Sequence, residues 1–156
     1  MIQSASRNWR EQIIKAFRIV AVIFNFLVGA FGLMGGYAAI STPEGPFGIS
    51  PDLLKHGPFS SFLIPGLALF IVIGLGHIFT GVYMLRRGKF ATYAEGIQAA
   101  ITLGWILIQC WVMEEVNGMH IAVFSIGAVQ GLYAMIDLAR RKQFPFNLIR
   151  FGSTQG

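Results

Sequence analysis

The sequence predicts an all-α integral membrane protein, a four-helix bundle with an N-terminal amphipathic helix. Three observations carry that expectation: four long apolar runs, a shortage of charge, and basic residues confined to alternate links. Of 156 residues, 54% are hydrophobic and 12% charged, about half the charge that a water-facing surface of this size carries. Mean hydropathy is +0.62. High hydrophobicity also excludes a disordered chain. A single cysteine excludes a disulfide framework, a CxxC redox centre and a thiolate zinc site.

The runs predict spans over about 17–40, 62–85, 93–113 and 120–138, within one membrane domain of residues 1–156 that ends in a basic tail, 139–156. About 20 helical residues cross the hydrocarbon layer, so each run suffices. Helix is required because a lone span must satisfy its own backbone hydrogen bonds in lipid. The runs are continuous and lack the alternation of a barrel strand. The first is too long for the ~7–15-residue apolar region of a signal peptide and is expected to be a retained span.

Orientation follows from the cations. Eleven of the twelve lysines and arginines fall before the first span, between the second and third, or after the fourth, leaving Lys55 alone on the other side. By the positive-inside rule both termini are cytoplasmic. The net charge of +5 then marks sidedness, with membrane lipids as the expected partner and no nucleic acid.

Outside the spans, residues 8–18 place Trp9, Ile13, Ile14 and Phe17 at helical spacing opposite Arg10, Glu11 and Lys15. This describes either an amphipathic helix lying at the interface or a helical extension of the first span. In the loop 41–61, Ser50, Pro51 and Asp52 have the order of an N-cap, first position and acidic first turn, with Gly57 as a stop, predicting a short helix that caps the bundle. In the tail, Phe144, Phe146, Leu148, Ile149 and Phe151 among basic residues suggest a segment resting on headgroups or on another subunit. Gly81-Val82-Tyr83 followed by Arg86-Arg87, and Gly131-Leu132-Tyr133 followed by Arg140-Arg141, hint at a duplicated hairpin.

The spans are not uniformly apolar. Glu95, Gln98, Thr102, Trp105 and Gln109 recur at 3, 4, 3, 4 spacing along one face of the third. Asn25, Gly29, Gly32 and Gly36 share a face of the first, Gly74, His77 and Gly81 of the second, and Gln130, Tyr133 and Asp137 of the fourth. By depth, Asn25, His77, Gln98, Thr102 and Gln130 form a candidate intramembrane polar site about 12 Å from the cytoplasmic surface. Glu95 and Asp137 lie nearer that surface as a candidate relay, within reach of Arg86, Arg87 or Lys89. Such groups serve either as hydrogen-bonded fasteners between helices or as a ligand site or proton path. His56, His120, Glu114 and Glu115 lack the close spacing of metal ligands, so no metal and no cofactor is expected.

Pro58-Phe59, Ile64-Pro65-Gly66, Arg86-Arg87 and Trp105-Ile106 with Gln109 resemble a pattern in uncharacterised bacterial four-span membrane proteins. The layout is similar to that of DoxX-like proteins, which implies a link to redox or quinone metabolism, and a bacterial inner membrane is the expected location. Together these readings lead to a non-enzymatic subunit or scaffold, associating with other membrane subunits or with itself through glycine-rich faces and the basic tail. The alternative is a small transporter or membrane enzyme acting on a lipid-like or quinone-like substrate. There His77 would exchange a proton, Asn25, Gln98 and Gln130 would orient the substrate, and Glu95 would connect to the cytoplasm.

Overall fold

The computed structural model describes residues 2–145, with side chains placed at residue 9 and from residue 11 onward. The tail beyond 145, including Phe146, Leu148, Ile149, Arg150 and Phe151, lies outside the described residues. Among the described residues four helices are long and apolar enough to cross a membrane: α1 (Ile2–Ser41), α2 (Leu63–Leu85), α3 (Ala91–Met113) and α4 (Gly118–Arg140). Among the described residues there is no strand. Links of a few residues join α2 to α3 and α3 to α4, which makes each pair antiparallel neighbours. α1 lies along α2, α2 meets α3, α3 lies against α4, and α4 returns to α1.

The outer face of this bundle is apolar. Ile23 and Phe31 on α1, Ile64 and Phe79 on α2, Ile97 and Trp111 on α3, and Ile121 and Met135 on α4 are all exposed. Water would penalise such a continuous belt, whereas hydrocarbon does not.

α1 is one helix of 40 residues, about 60 Å at 1.5 Å per residue. The segment 8–18 is thus the helical extension, with no turn between it and the span. Trp9, Ile13 and Phe17 remain exposed along it. Arg18 donates to the Met84 carbonyl at the end of α2, placing a cation where the last carbonyls of a helix concentrate negative charge. Pro43 follows the end of α1 closely, as expected of a residue that cannot continue a helix.

The α1–α2 seam is built from glycine. A Cβ on Gly36 would lie 2.6 Å from the Phe70 backbone nitrogen, one on Gly32 2.9 Å from the Gly74 nitrogen, and one on Gly66 2.6 Å from Ala39 Cβ. Only hydrogen fits at these positions, and the two backbones touch. α2 is itself irregular: Leu63–Ala68 and Gly76–Leu85 are α-helical, but Leu69–Leu75 between them is a π-helix. The widened turn carries Gly74 against Leu33 of α1 and delivers His77 to the bundle interior one turn later.

The loop 41–61 caps the bundle as its sequence predicts. Pro51–Leu54 is a 3-10 helix whose N-cap, Ser50, accepts from the Asp52 amide at 3.2 Å, and Gly57 N–H closes it onto Leu54. Leu54 is buried with Ala39, Phe62 and Val112, plugging the end of the bundle. A hydrogen bond from Lys55, at 2.9 Å, and its charge hold the exposed Asp52 carboxyl below the usual carboxylate range.

At the opposite end, which carries the basic clusters, α2 and α4 stop in the same way. Arg87 and Lys142 take left-handed backbone conformations, with φ 53° and 48°. Gly88 N–H bonds back to Tyr83 O and Gln143 N–H to Leu138 O, the six-residue closure of a Schellman stop. The matching positions are Arg86 with Arg141 and Arg87 with Lys142, one residue out of step with the repeat seen in the sequence. Left-handed conformation costs a side-chain-bearing residue about 1–2 kcal/mol, and glycine nothing. Arg87→Gly is therefore expected to raise the thermal midpoint of the purified protein. An unchanged or lower midpoint would mean that the arginine's headgroup contacts outweigh its strain.

Candidate functional site

The polar faces of α1, α2 and α3 converge on a buried hydrogen-bonded chain. Asn25, His77, Glu95 and Thr102 are each 0% exposed. The Asn25 amide donates to the Ala21 carbonyl at 2.9 Å and to Glu95 Oε2 at 2.6 Å, with Met84 Sδ 3.8 Å away. Its carbonyl oxygen accepts from His77 Nδ1 at 3.0 Å, and His77 Nε2 meets Thr102 Oγ1 at 2.7 Å. Thr102 Oγ1 donates to the Gln98 carbonyl at 2.9 Å, and the Gln98 side chain donates to Val72 O at 3.1 Å. The last bond crosses to the π-helical part of α2, beside Gly76, where a Cβ would sit 2.7 Å from Gln98 Oε1.

Of the residues expected to form one layer, Asn25, His77 and Thr102 are directly linked, and Gln98 joins through its backbone carbonyl. Gln130 is buried beside the Glu95 carboxyl. Neither of its amide atoms reaches hydrogen-bond geometry with Glu95, however, and Glu95 Oε1 is also unpartnered.

Neither candidate relay residue pairs with the basic link between α2 and α3. Glu95 does not pair with Arg86, Arg87 or Lys89. It belongs to the buried chain through Asn25. The reason is rotational: Glu95 continues the Gln98–Thr102 face one turn earlier, and that face points inward. Asp137 is also not served by the α2–α3 link. It accepts from Thr92 Oγ1 at 2.7 Å and Arg141 Nε at 2.9 Å, with Arg140 at 3.7 Å. Arg140 and Arg141 follow it by one helical turn and so lie on the same side of α4. Lys89 instead sits over the Phe90 ring, 5.4 Å from its centroid.

The network can hold its protons in two ways. Asn25 Oδ1 can only accept, so His77 Nδ1 carries a hydrogen. Thr102 has one hydroxyl hydrogen and two partners. If it donates to the Gln98 carbonyl, His77 Nε2 must donate to Thr102, making the ring an imidazolium. If it donates to His77 Nε2, the ring is neutral. Rotation of one hydroxyl therefore lets His77 gain or lose a proton while its bonds to Asn25 and Thr102 persist, the neutral state giving up the Thr102 bond to the Gln98 carbonyl.

Several features were not foreseen. Trp105, next on the α3 stripe, has a buried Nε1 without a partner. His120 is 1% exposed and closes a capping box with Asn117, which starts α4. The π-helix before His77 has no sequence signal beyond the nearby glycines. At the far end His56 and Glu114 approach to 3.4 Å, and among the described residues no three His, Cys, Asp or Glu side chains converge as metal ligands. Comparison with protein-family models, curated proteins and solved structures finds no significant match to this chain.

Proposed function

We propose that this chain is a small polytopic membrane protein serving as a non-enzymatic subunit or scaffold of a membrane assembly. On this reading it lies in a bacterial inner membrane with both termini cytoplasmic, where the eleven clustered lysines and arginines meet anionic headgroups. The observation that carries the reading is the closure of the network over His77. Both ring nitrogens are bonded, the side chain is 0% exposed, and His77 lines neither the groove around Ile121 and Phe124 nor the one around Phe62 and Trp105. A histidine occupied on every side fastens helices together and has no open side for a substrate. Its partners are membrane lipids, other membrane subunits or further copies of itself.

His77→Gln in the native cell tests this. A scaffold keeps its assembly and the cellular phenotype of the wild type, and copurification from native membrane identifies the same companions. Intact assembly with lost cellular function would overturn it.

The two proton arrangements of His77 and Thr102 favour a second reading, a proton-linked transporter or membrane enzyme. Here Glu95 and Gln130, with their unpartnered atoms, continue the path toward the basic end. Vesicles containing the protein and a trapped pH-sensitive dye should then equilibrate an imposed pH step faster than protein-free vesicles, and His77→Gln should abolish the difference. Equal rates in wild-type and protein-free vesicles would exclude this reading.

A further inference from the structure

At the end remote from the basic clusters, α3, α4 and the link between them line a groove of about 240 Å³. Ile106, Leu107, Cys110, Ile121 and Phe124 make its walls apolar, and His120 lines it. Leu107, Ile121 and Phe124 are among the exposed apolar residues, so the groove opens sideways onto the lipid-facing surface.

His120 brings one polar atom to this site. Its Nδ1 accepts the Asn117 backbone N–H at 3.3 Å. A ring nitrogen that accepts has no hydrogen, so the hydrogen of this imidazole is on Nε2. That Nε2–H is a donor, the side chain is 1% exposed, and the atom has no partner within the protein. A buried donor left unbonded costs about 1–3 kcal/mol. Nε2 is covered in this conformation, so an acceptor oxygen entering the groove reaches it as the lining side chains part, and the bond formed removes that cost.

Depth narrows what such a ligand is. α4 has 23 residues, about 35 Å, slightly more than the ~30 Å hydrocarbon layer. Its first turn, with His120 as third residue, therefore lies at the boundary between headgroup and hydrocarbon. From there to Ser125 the groove descends about 8 Å along the helix, a depth that takes the first carbons of an acyl chain. The lining includes no Lys, Arg, Asp or Glu, so the bound portion is neutral: one acceptor at the boundary and an apolar tail below it.

We infer that this groove holds the ester region of a glycerophospholipid, with His120 Nε2–H donating to an ester carbonyl and the start of the acyl chain lying between α3 and α4. The test uses the full chain in vesicles of palmitoyl-oleoyl phosphatidylethanolamine and phosphatidylglycerol, extracted into mild detergent and weighed by native mass spectrometry. One retained lipid per chain is expected. His120→Gln keeps both the cap acceptor and a donor and should retain it. His120→Glu keeps the capping box but loses the donor, and retention should fall about fivefold, the equivalent of ~1 kcal/mol. The wild type taken from vesicles of ether-linked analogues, which lack the carbonyl, should show the same fall. Equal retention of ether and ester lipids overturns the inference, as does undiminished retention by His120→Glu. Should His120→Glu fail to fold, the ether comparison decides alone.

Discussion

Gly36→Ala is expected to destabilise the bundle by about 2–3 kcal/mol, the usual range for forcing extra atoms into a close-packed contact. The added methyl would sit 2.6 Å from both the Phe70 nitrogen and its Cβ. Backbone cannot yield as a side-chain tip can, so α1 and α2 must separate. Separation also opens the Gly32–Gly74 contact one turn away and loosens the α2 segment that leads to His77. The control is Gly104→Ala on α3, where a Cβ meets nothing within 4 Å. There the gain in helix propensity, up to about 1 kcal/mol in water, should leave stability equal or higher. Thermal or detergent unfolding of both variants decides the matter. Equal stabilities would mean that the α1–α2 seam is more plastic than its geometry implies.

Much of this architecture was legible because lipid makes few demands and makes them strictly. Four apolar runs had to be helices, and the glycines at 29, 32 and 36 had to face a neighbour to be useful. Ser50, Pro51 and Asp52 carried the loop helix in their own local chemistry. What stayed hidden depends on rotation and register. Counting along the chain puts Glu95 near the surface, but its partner follows from the direction of the α3 face relative to α1. The π-helix at Leu69–Leu75 lies along the close contact with α1, and a contact between helices is not written in the α2 sequence alone. His120 starts a span, and its two nitrogens acquire different roles only once Asn117 caps the helix. The cationic partners of Asp137 are Arg140 and Arg141, one turn along the same chain, and its third partner is Thr92 on the facing helix, so the α2–α3 link has no place beside it.

The buried chain makes the second large prediction. Among the described residues Asn25 alone is bonded to both Glu95 and His77, so Asn25→Leu removes those two interhelical hydrogen bonds, along with the one to the Ala21 carbonyl, and strands a carboxyl and an imidazole together. An ordinary interhelical hydrogen bond in a membrane is worth about 0.6 kcal/mol, and two would cost little. The stranded groups dominate: each buried polar group left without its partner costs about 1–3 kcal/mol. Asn25→Leu should therefore lose about 3 kcal/mol, well above the sum of the bonds removed. Glu95→Met alone should cost less, since it leaves the Asn25 amide still bonded to Ala21. If stranding is the cause, Asn25→Leu with Glu95→Met should be more stable than the two single losses add up to, with a coupling of about 1–2 kcal/mol. Strict additivity would show that water reaches Glu95 when Asn25 is removed. The interior would then be wet, and the case for a proton path would strengthen at the expense of the scaffold.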